Sequence, residues 1–477
     1  MSRFGRNRRV WLPIVVCFAA AWAAWPGRAT AIRAQQPSER PNVLVILVDD
    51  LGWGDLRCMG AEDLQTPNID GLAEDGMRWV NFYANCPVCS PTRSSILSGR
   101  YPDAVGVPGV IRTHSRDSWG YLSPQAVLLP AVLNEADYDT GMVGKWHLGL
   151  DEPNLPNLRG FRTFYGYLGD MMDDYYTHRR WGINYMARNR EIVDPKGHAT
   201  DIFSDWACEF LEADHGDRPF FLYLAYNAPH VPIQPPQAYL DAYLKRHPNA
   251  DETRAKIAAL IEHLDAGIGR VLAKLDELGM RDDTLVIFTS DNGGQLNVGA
   301  NNGPWRDGKG TGYEGGIRVP MIARWPGHIP SGTVSEAIGL TMDVFPTVCA
   351  AAGVEPPQPV HGVNLLPVLT DEKKTLPARD LFWVRLERRP RTDHGWWLWV
   401  ARRGDWKIIR GPGDRPDQLF NLKDDPYETK DLADTMPEQL AAMQRLLDCH
   451  IADTASVPWR DCRGLGPGEL PPEVEEK

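Results

Sequence analysis

Short apolar runs rich in β-branched residues alternate along this 477-residue chain with stretches whose apolar positions recur at helical spacing. That alternation predicts an α/β protein built on a large, mostly parallel mixed sheet sandwiched by helices. The strand candidates are 42–48, 141–143, 220–225 and 284–289, the last being the clearest. Between the last two, the stretch 252–278 carries Ile257, Leu260, Ile261, Leu264, Ile268, Val271, Leu272 and Leu275 at helical spacing. Gly279 closes that helix at the usual C′ position.

Beyond about residue 365 the texture changes. Segments 381–384, 397–402, 406–409 and 419–421 read as short strands joined by turns, and 436–448 as an amphipathic helix. The pattern predicts a large domain over 35–365, a smaller C-terminal α+β subdomain with an antiparallel sheet over 366–457, and a loosely ordered tail over 458–477. Length supports the same count, since 477 residues fit one big domain plus a smaller one.

In open α/β sheets, ligands bind just beyond the carboxyl ends of the strands. The first predicted strand runs into Asp49-Asp50, the second into Lys145-Trp146-His147, the third into Asn227-Ala228-Pro229-His230, and the fourth into Asp291-Asn292-Gly293-Gly294. Asp49, Asp50, Asp291 and Asn292 offer hard oxygen donors with no Cys or His interleaved at zinc spacing, which suits calcium or magnesium. Asp pairs also end strands simply as turn formers. Two such pairs on neighbouring strand ends favour the metal.

A hydrophobic fraction of 43% and a charged fraction of 24% are ordinary for a globular protein and exclude disordered or fibrous classes. The N-terminus differs in kind. Arg3, Arg6, Arg8 and Arg9 precede an apolar run over 10–24, followed by small residues around Ala29-Thr30-Ala31. This is the layout of a cleavable signal peptide over 1–34, and about fifteen apolar residues interrupted by Pro13 are short for a membrane anchor. The chain that remains is expected to be secreted or periplasmic with no stable anchor, and Arg8-Arg9 also fits a twin-arginine export route. Losing the six arginines of 1–34 takes the formal charge from −12 to −18. A surface so acidic repels nucleic acid, and any anionic substrate needs a local basic pocket.

Eight cysteines, at 17, 58, 86, 89, 208, 349, 449 and 462, leave the pairing open, with Cys449–Cys462 the most plausible local bridge in an exported chain. Cys86-Pro-Val-Cys89 reads either as a redox CxxC or as part of a longer motif. The longer reading rests on Cys89-Ser90-Pro91-Thr92-Arg93 followed by Leu97-Ser98-Gly99-Arg100. This resembles the signature of the type I, formylglycine-dependent sulfatases, arylsulfatase-like members of the alkaline phosphatase superfamily. Val48-Asp49-Asp50-Leu51-Gly52-Trp53-Gly54-Asp55, Gly144-Lys145-Trp146-His147-Leu148-Gly149 and Tyr226-Asn227-Ala228-Pro229-His230 are similar to further motifs of that family, as is the glycine-rich run from Gly308-Lys309 to Gly316.

The resemblance implies a sulfuric ester hydrolase with an alkaline-phosphatase-like fold. In that family a formylglycine-generating enzyme oxidises the cysteine, here Cys89, to 3-oxoalanine during export. Its hydrate explains the choice: one hydroxyl attacks sulfur, and the other later loses its proton so that the carbon–oxygen bond breaks and sulfate leaves. Asp49, Asp50, Asp291, Asn292 and the modified Cys89 are the implied ligands of one Ca2+ ion. Lys145 and Lys309 resemble the sulfate-binding lysines, which form the basic pocket the acidic surface requires. Arg93 is expected to hold the diol and the metal carboxylates, or merely to cap a helix beginning near Thr92. His147 resembles the base that takes the second hydroxyl proton, and His230, with Lys309, the group that protonates the leaving alcohol. One departure concerns Asp170, which stands where some relatives carry a sulfate-contacting Ser or His and is expected to touch a substrate hydroxyl or pair with a lysine.

The resemblance implies an aryl sulfate or a sulfated carbohydrate as substrate. Trp396, Trp397, Trp399, Tyr175 and Tyr176 could stack on sugar rings, although such an aromatic cluster more often packs between domains. A phosphonate or phosphate ester hydrolase of the same superfamily is the alternative activity, and an inactive binding protein the alternative class.

Overall fold

A computed structural model describes residues 40–114, 118–371, 373–387, 396–411 and 415–454. The predicted signal peptide, Cys462 and the tail lie outside the described residues. A ten-stranded mixed sheet forms the body. In chain order its strands are β1 (Asn42–Val48), β2 (Met77–Trp79), β3 (Asp139–Lys145), β4 (Thr163–Tyr167) and β5 (Met186–Arg188). Then come β6 (Glu191–Ile192), β7 (Phe220–Ala225), β8 (Thr284–Ser290), β9 (Met321–Arg324) and β10 (Thr333–Ser335). Their order across the sheet is β10-β2-β9-β8-β1-β7-β3-β4-β5-β6. The five central strands β8, β1, β7, β3 and β4 run parallel, while β9 and β5 join antiparallel on either side.

Burial explains why the four predicted strands were the visible ones. Strand β1 alternates its apolar side chains between two cores. Leu44, Ile46 and Val48 pack with helices α1 (Pro67–Glu74), α4 (Ala199–Glu212) and α5 (Glu252–Glu277). Val43, Val45 and Leu47 pack with α2 (Cys89–Ser98), α3 (Leu129–Glu135) and α6 (Val344–Ala351). A strand covered on both faces must be apolar at every position, and each such side chain contributes about 1.5–3 kcal/mol. Helix α5 begins where Asp251 accepts hydrogen bonds from the Thr253 and Arg254 amides, and ends before Gly279, whose φ is +70°. Strands β3 and β8 are longer than the sequence predicts, and α2 starts at Cys89 rather than near Thr92.

The C-terminal part is an antiparallel four-stranded sheet of β11 (Asp380–Glu387), β12 (Trp396–Arg403), β13 (Trp406–Arg410) and β14 (Gln418–Asn421). One face places Trp383, Leu398, Val400, Ile409 and Phe420 against Tyr83, Tyr101 and Ile317. The other buries Ala401, Ile408 and Leu419 under Met443 and Leu447 of α7 (Pro437–Thr454). A buried ion triad fastens the two parts. Lys407 Nζ on β13 lies 2.8 Å from Glu314 and 2.7 Å from Glu428. Burial opposes the Glu314 charge, yet Lys407, Arg318 and Arg402 together hold its carboxyl down to about 2.

Removing one partner of a buried charge cluster strands the others without water. Lys407→Met, which keeps the stem and deletes the ammonium, is therefore expected to cost about 3–5 kcal/mol in a urea unfolding titration.

Candidate active site

The neighbouring strands β8, β1, β7 and β3 end at one level. Leu47 of β1 lies opposite Ala225 of β7 and Thr289 of β8, and Ala225 lies opposite Gly144 of β3. Gly144 has φ +106°, and a Cβ there would stand 1.9 Å from the Ala225 carbonyl oxygen. Only glycine lets β3 stay paired with β7 up to Lys145. Past the strand ends, Asp50 and His147 adopt left-handed backbone, with φ of +68° and +57°. Residues forced into this region often sit at functional sites.

All ten residues expected from the sequence gather here. Cys89 opens α2, whose every residue, including Arg93, is buried. The Cys89 thiol, one carboxylate oxygen each of Asp49 and Asp50, and a ring nitrogen of His230 lie within 4.8 Å of one another. Arg93 is no helix cap. It sits in the second turn of α2, donates from Nε and Nη2 to Asp291 Oδ2 at 3.0 and 2.8 Å, and donates from Nη1 to the Lys145 carbonyl. Its Nη2 also lies 3.5 Å from Asp49. Lys145 Nζ donates to Asp49 Oδ2 at 2.5 Å, and Lys309 Nζ to Asp50 Oδ2 at 2.6 Å. His230 Nε2 is 3.7 Å from the same Asp50 oxygen. The Asn292 amide donates to Asp50 Oδ1, and the Asp50 N–H to Asp291 Oδ1.

Two buried oxygens are left over. Asp49 Oδ1 and Asn292 Oδ1 have no hydrogen-bond partner, although each stands within a dense polar cluster. Such orphans are costly unless something accepts their lone pairs. With the neighbouring carboxylates, they make an oxygen-rich donor set that fits a hard divalent cation.

Electrostatics follow the same geometry. Burial works against ionised Asp49, but Lys145, His230, Arg93 and Lys309 hold its carboxyl well below the usual range. Burial and the charge of Asp49 push Asp291 up to about 7. Burial lowers both histidines, Lys145 and Arg93 adding to the effect at His147, and Lys309 at His230, which falls to about 4. His147 Nε2 faces the Ile111 carbonyl at 2.8 Å, so it carries the proton and Nδ1 keeps an unengaged lone pair. The redox reading of Cys86 and Cys89 finds no support. Both thiols are free, and burial raises both, the reverse of what a reactive dithiol requires.

Several expectations are corrected. Asp170 pairs with an arginine, not a lysine: Arg180 Nε is 3.1 Å away, and Thr113 Oγ1 donates to it as well. Tyr175 is no stacking platform. It is buried, and its hydroxyl lies 2.9 Å from the Asn227 carbonyl and 2.8 Å from that of His230. Trp399 packs between the small sheet and α7, whereas Tyr176 and Trp397 are exposed. Sequence reasoning missed Tyr175 as the brace of the His230 loop, and Glu314 as the link to Lys407. For Glu314 a signal existed, its place within the glycine-rich run after Lys309.

Residues 41–354 match the family described as Sulfatase, and residues 304–455 match N-sulphoglucosamine sulphohydrolase, C-terminal. N-acetylgalactosamine-6-sulfatase of Canis lupus familiaris is 30% identical across 94% of this chain and 96% of its own. Arylsulfatase A of Homo sapiens is 35% identical across 85% and 87%. Among solved structures, Ps i-CgsB in complex with k-i-k-neocarrahexaose superposes with a TM-score of 0.78 at 31% identity, covering 90% of this chain and 94% of that one.

Tyr175→Phe deletes the one proton shared by two buried carbonyls. A loss of about 1–2 kcal/mol is expected, together with faster hydrogen exchange at the His230 amide, measured by mass spectrometry or NMR.

Proposed function

The chain belongs to the sulfatase family and is a sulfuric ester hydrolase, and on that premise we propose that it desulfates a carbohydrate, using a formylglycine made from Cys89 and a bound calcium ion. The observation that carries the mechanism is the placement of Cys89 against Asp49, Asp50 and His230, with Asp49 Oδ1 and Asn292 Oδ1 still seeking a partner. Support for the carbohydrate comes from relatives, one an N-acetylgalactosamine-6-sulfatase and one solved with a neocarrahexaose. Residues 1–34 would then direct export to a secreted or periplasmic location, and the maturation enzyme would be the second partner. Among the described residues no helix is long and apolar enough to cross a membrane.

Asp49, Asp50, Asp291 and Asn292, with the modified Cys89, would hold the calcium. When bound, calcium supplies a divalent charge that acidifies the nucleophile and fixes a sulfate oxygen. Formylglycine supplies, as its hydrate, one hydroxyl to attack sulfur and a second whose deprotonation frees sulfate.

The protein's own residues do the rest. Lys145 and Lys309 stand on opposite carboxylates, Asp49 and Asp50, so an entering sulfate meets an ammonium on each side. Arg93 neutralises Asp291 and fixes its orientation from within α2. Burial, with Lys145 and Arg93 adding to it, disfavours the charged form of His147 and leaves Nδ1 available to take a proton, as a base requires. His230 donates Nδ1–H to the Val231 carbonyl, leaving Nε2 on the Asp50 side of the site. A bound sulfate adds negative charge beside that ring and favours its protonated form, as an acid for the leaving oxygen requires.

Turnover of a panel of sulfated mono- and oligosaccharides, an aryl sulfate and a matched phosphodiester tests the reading. Preference for the phosphodiester would overturn it. Peptide mass spectrometry of active enzyme is expected to find the Cys89 peptide about 18 Da lighter than the thiol form, as replacement of CH2SH by CHO requires. An unmodified thiol in fully active enzyme would refute the mechanism. Asp291→Asn keeps the shape and removes one negative charge, and is expected to lower kcat about 10²–10³-fold while weakening calcium binding measured by calorimetry.

A further inference from the structure

A short hairpin near the site presents one residue in a way the fold does not require. Arg179–Arg180 and Ile183–Asn184 pair antiparallel, and Trp181 and Gly182 form the two-residue turn between them. Both turn residues have positive φ, +51° and +78°, the geometry of a type I′ turn. That first position ordinarily takes Asn, Asp or Gly. A large aromatic there is a conformational outlier, and its side chain is not buried in return: Trp181 is 60% exposed.

The indole is nonetheless held in place. Asp173 accepts the Trp181 backbone N–H at 2.6 Å and pairs with Arg180 Nη1 at 2.7 Å. The Arg180 guanidinium carbon lies 4.4 Å from the Trp181 ring centre, and its Nε reaches Asp170. The His114 ring stacks at 6.1 Å, with 28° between planes. Two aspartates thus neutralise the arginine and leave an aromatic surface facing solvent.

This surface is tied to the reacting centre. Ile111 donates its N–H to Ser90 Oγ, next to Cys89, and its carbonyl meets His147. Two residues on, Thr113 bonds to Asp170, and the following His114 stacks on Trp181. Three residues of chain span at most about 10 Å, and the 6.1 Å between the His114 and Trp181 rings comes on top of it.

We propose that Trp181 is a specificity-determining platform on which a pyranose ring of an oligosaccharide substrate stacks while the sulfated group enters the site. An indole left 60% exposed beside Arg180 and His114 offers apolar surface of the kind the C–H face of a sugar packs on. The inference rests on the carbohydrate reading above and adds the residue that would select an oligosaccharide over a small sulfate ester. A purely structural role predicts the opposite of a substrate role when the turn is repaired, because Asn-Gly is the favoured type I′ pair.

The test compares wild-type mature enzyme with Trp181→Asn and Trp181→Tyr. Each is assayed for kcat/KM on 4-methylumbelliferyl sulfate and on the best sulfated tetrasaccharide of the substrate panel, with Tm measured alongside. Trp181→Asn is expected to keep or raise Tm while the tetrasaccharide-to-aryl-sulfate ratio falls about ten-fold, chiefly through KM. Trp181→Tyr, which retains a ring, keeps most of the ratio. An unchanged ratio in Trp181→Asn, or an equal loss on both substrates, would overturn the platform alone. Wild-type turnover of the aryl sulfate with none on any sulfated saccharide would overturn the carbohydrate reading and the platform with it.

Discussion

Everything at the sheet edge depends on a standoff between buried charges of opposite sign. Asp49, Asp50 and Asp291 are all removed from water, and three carboxylates so close would repel one another out of the fold if left alone. Arg93, Lys145 and Lys309 make the arrangement tolerable, each arriving from a different segment, the lysines each within ion-pair distance of one carboxylate and Arg93 of two. On the proposed reading, the same cations would give an anion a place to bind. On that reading, structural compensation and substrate affinity would be a single arrangement, and the two unpartnered oxygens of Asp49 and Asn292 mark where the compensation is incomplete.

The central part of this arrangement was legible because it obeys short-range rules. Strands covered on both faces must be continuously apolar, so β1, β7 and β8 announce themselves, and the residue after each strand has nowhere to go but the edge. The edge strands were not legible. Glu191–Ile192 and Thr333–Ser335 are two and three residues long, with no room for a period to appear. Arg93 was legible as a site residue only through its spacing from Cys89, and the cap reading failed because the helix begins three residues earlier than expected.

What stayed hidden is what depends on long-range contact. Nothing near Lys407 in the sequence tells of Glu314, 93 positions away, or of Glu428 on the following segment. Tyr175 stood beside Tyr176 as an indistinguishable neighbour, yet one braces two carbonyls in the core and the other faces solvent. The turn at Trp181 was invisible for a different reason. A Trp-Gly pair between Arg180 and Ile183 carries no clear hairpin signal, because the chain departs there from local preference. Tertiary contact with Asp173, Arg180 and His114 overrides it.

Helix α2 has a bearing on timing. Its ten residues include serines, a threonine and an arginine, yet all are buried, and Cys89 at its head is 4% exposed. A surface as large as another protein's cannot reach that thiol once the helix has docked between the sheet and α6. Any macromolecular reagent for Cys89 must win a race against folding, arriving while this part of the chain is still open. If Cys89 is converted as proposed, the order of events in the protein's early life would therefore be fixed by the same packing that later shields its chemistry from water.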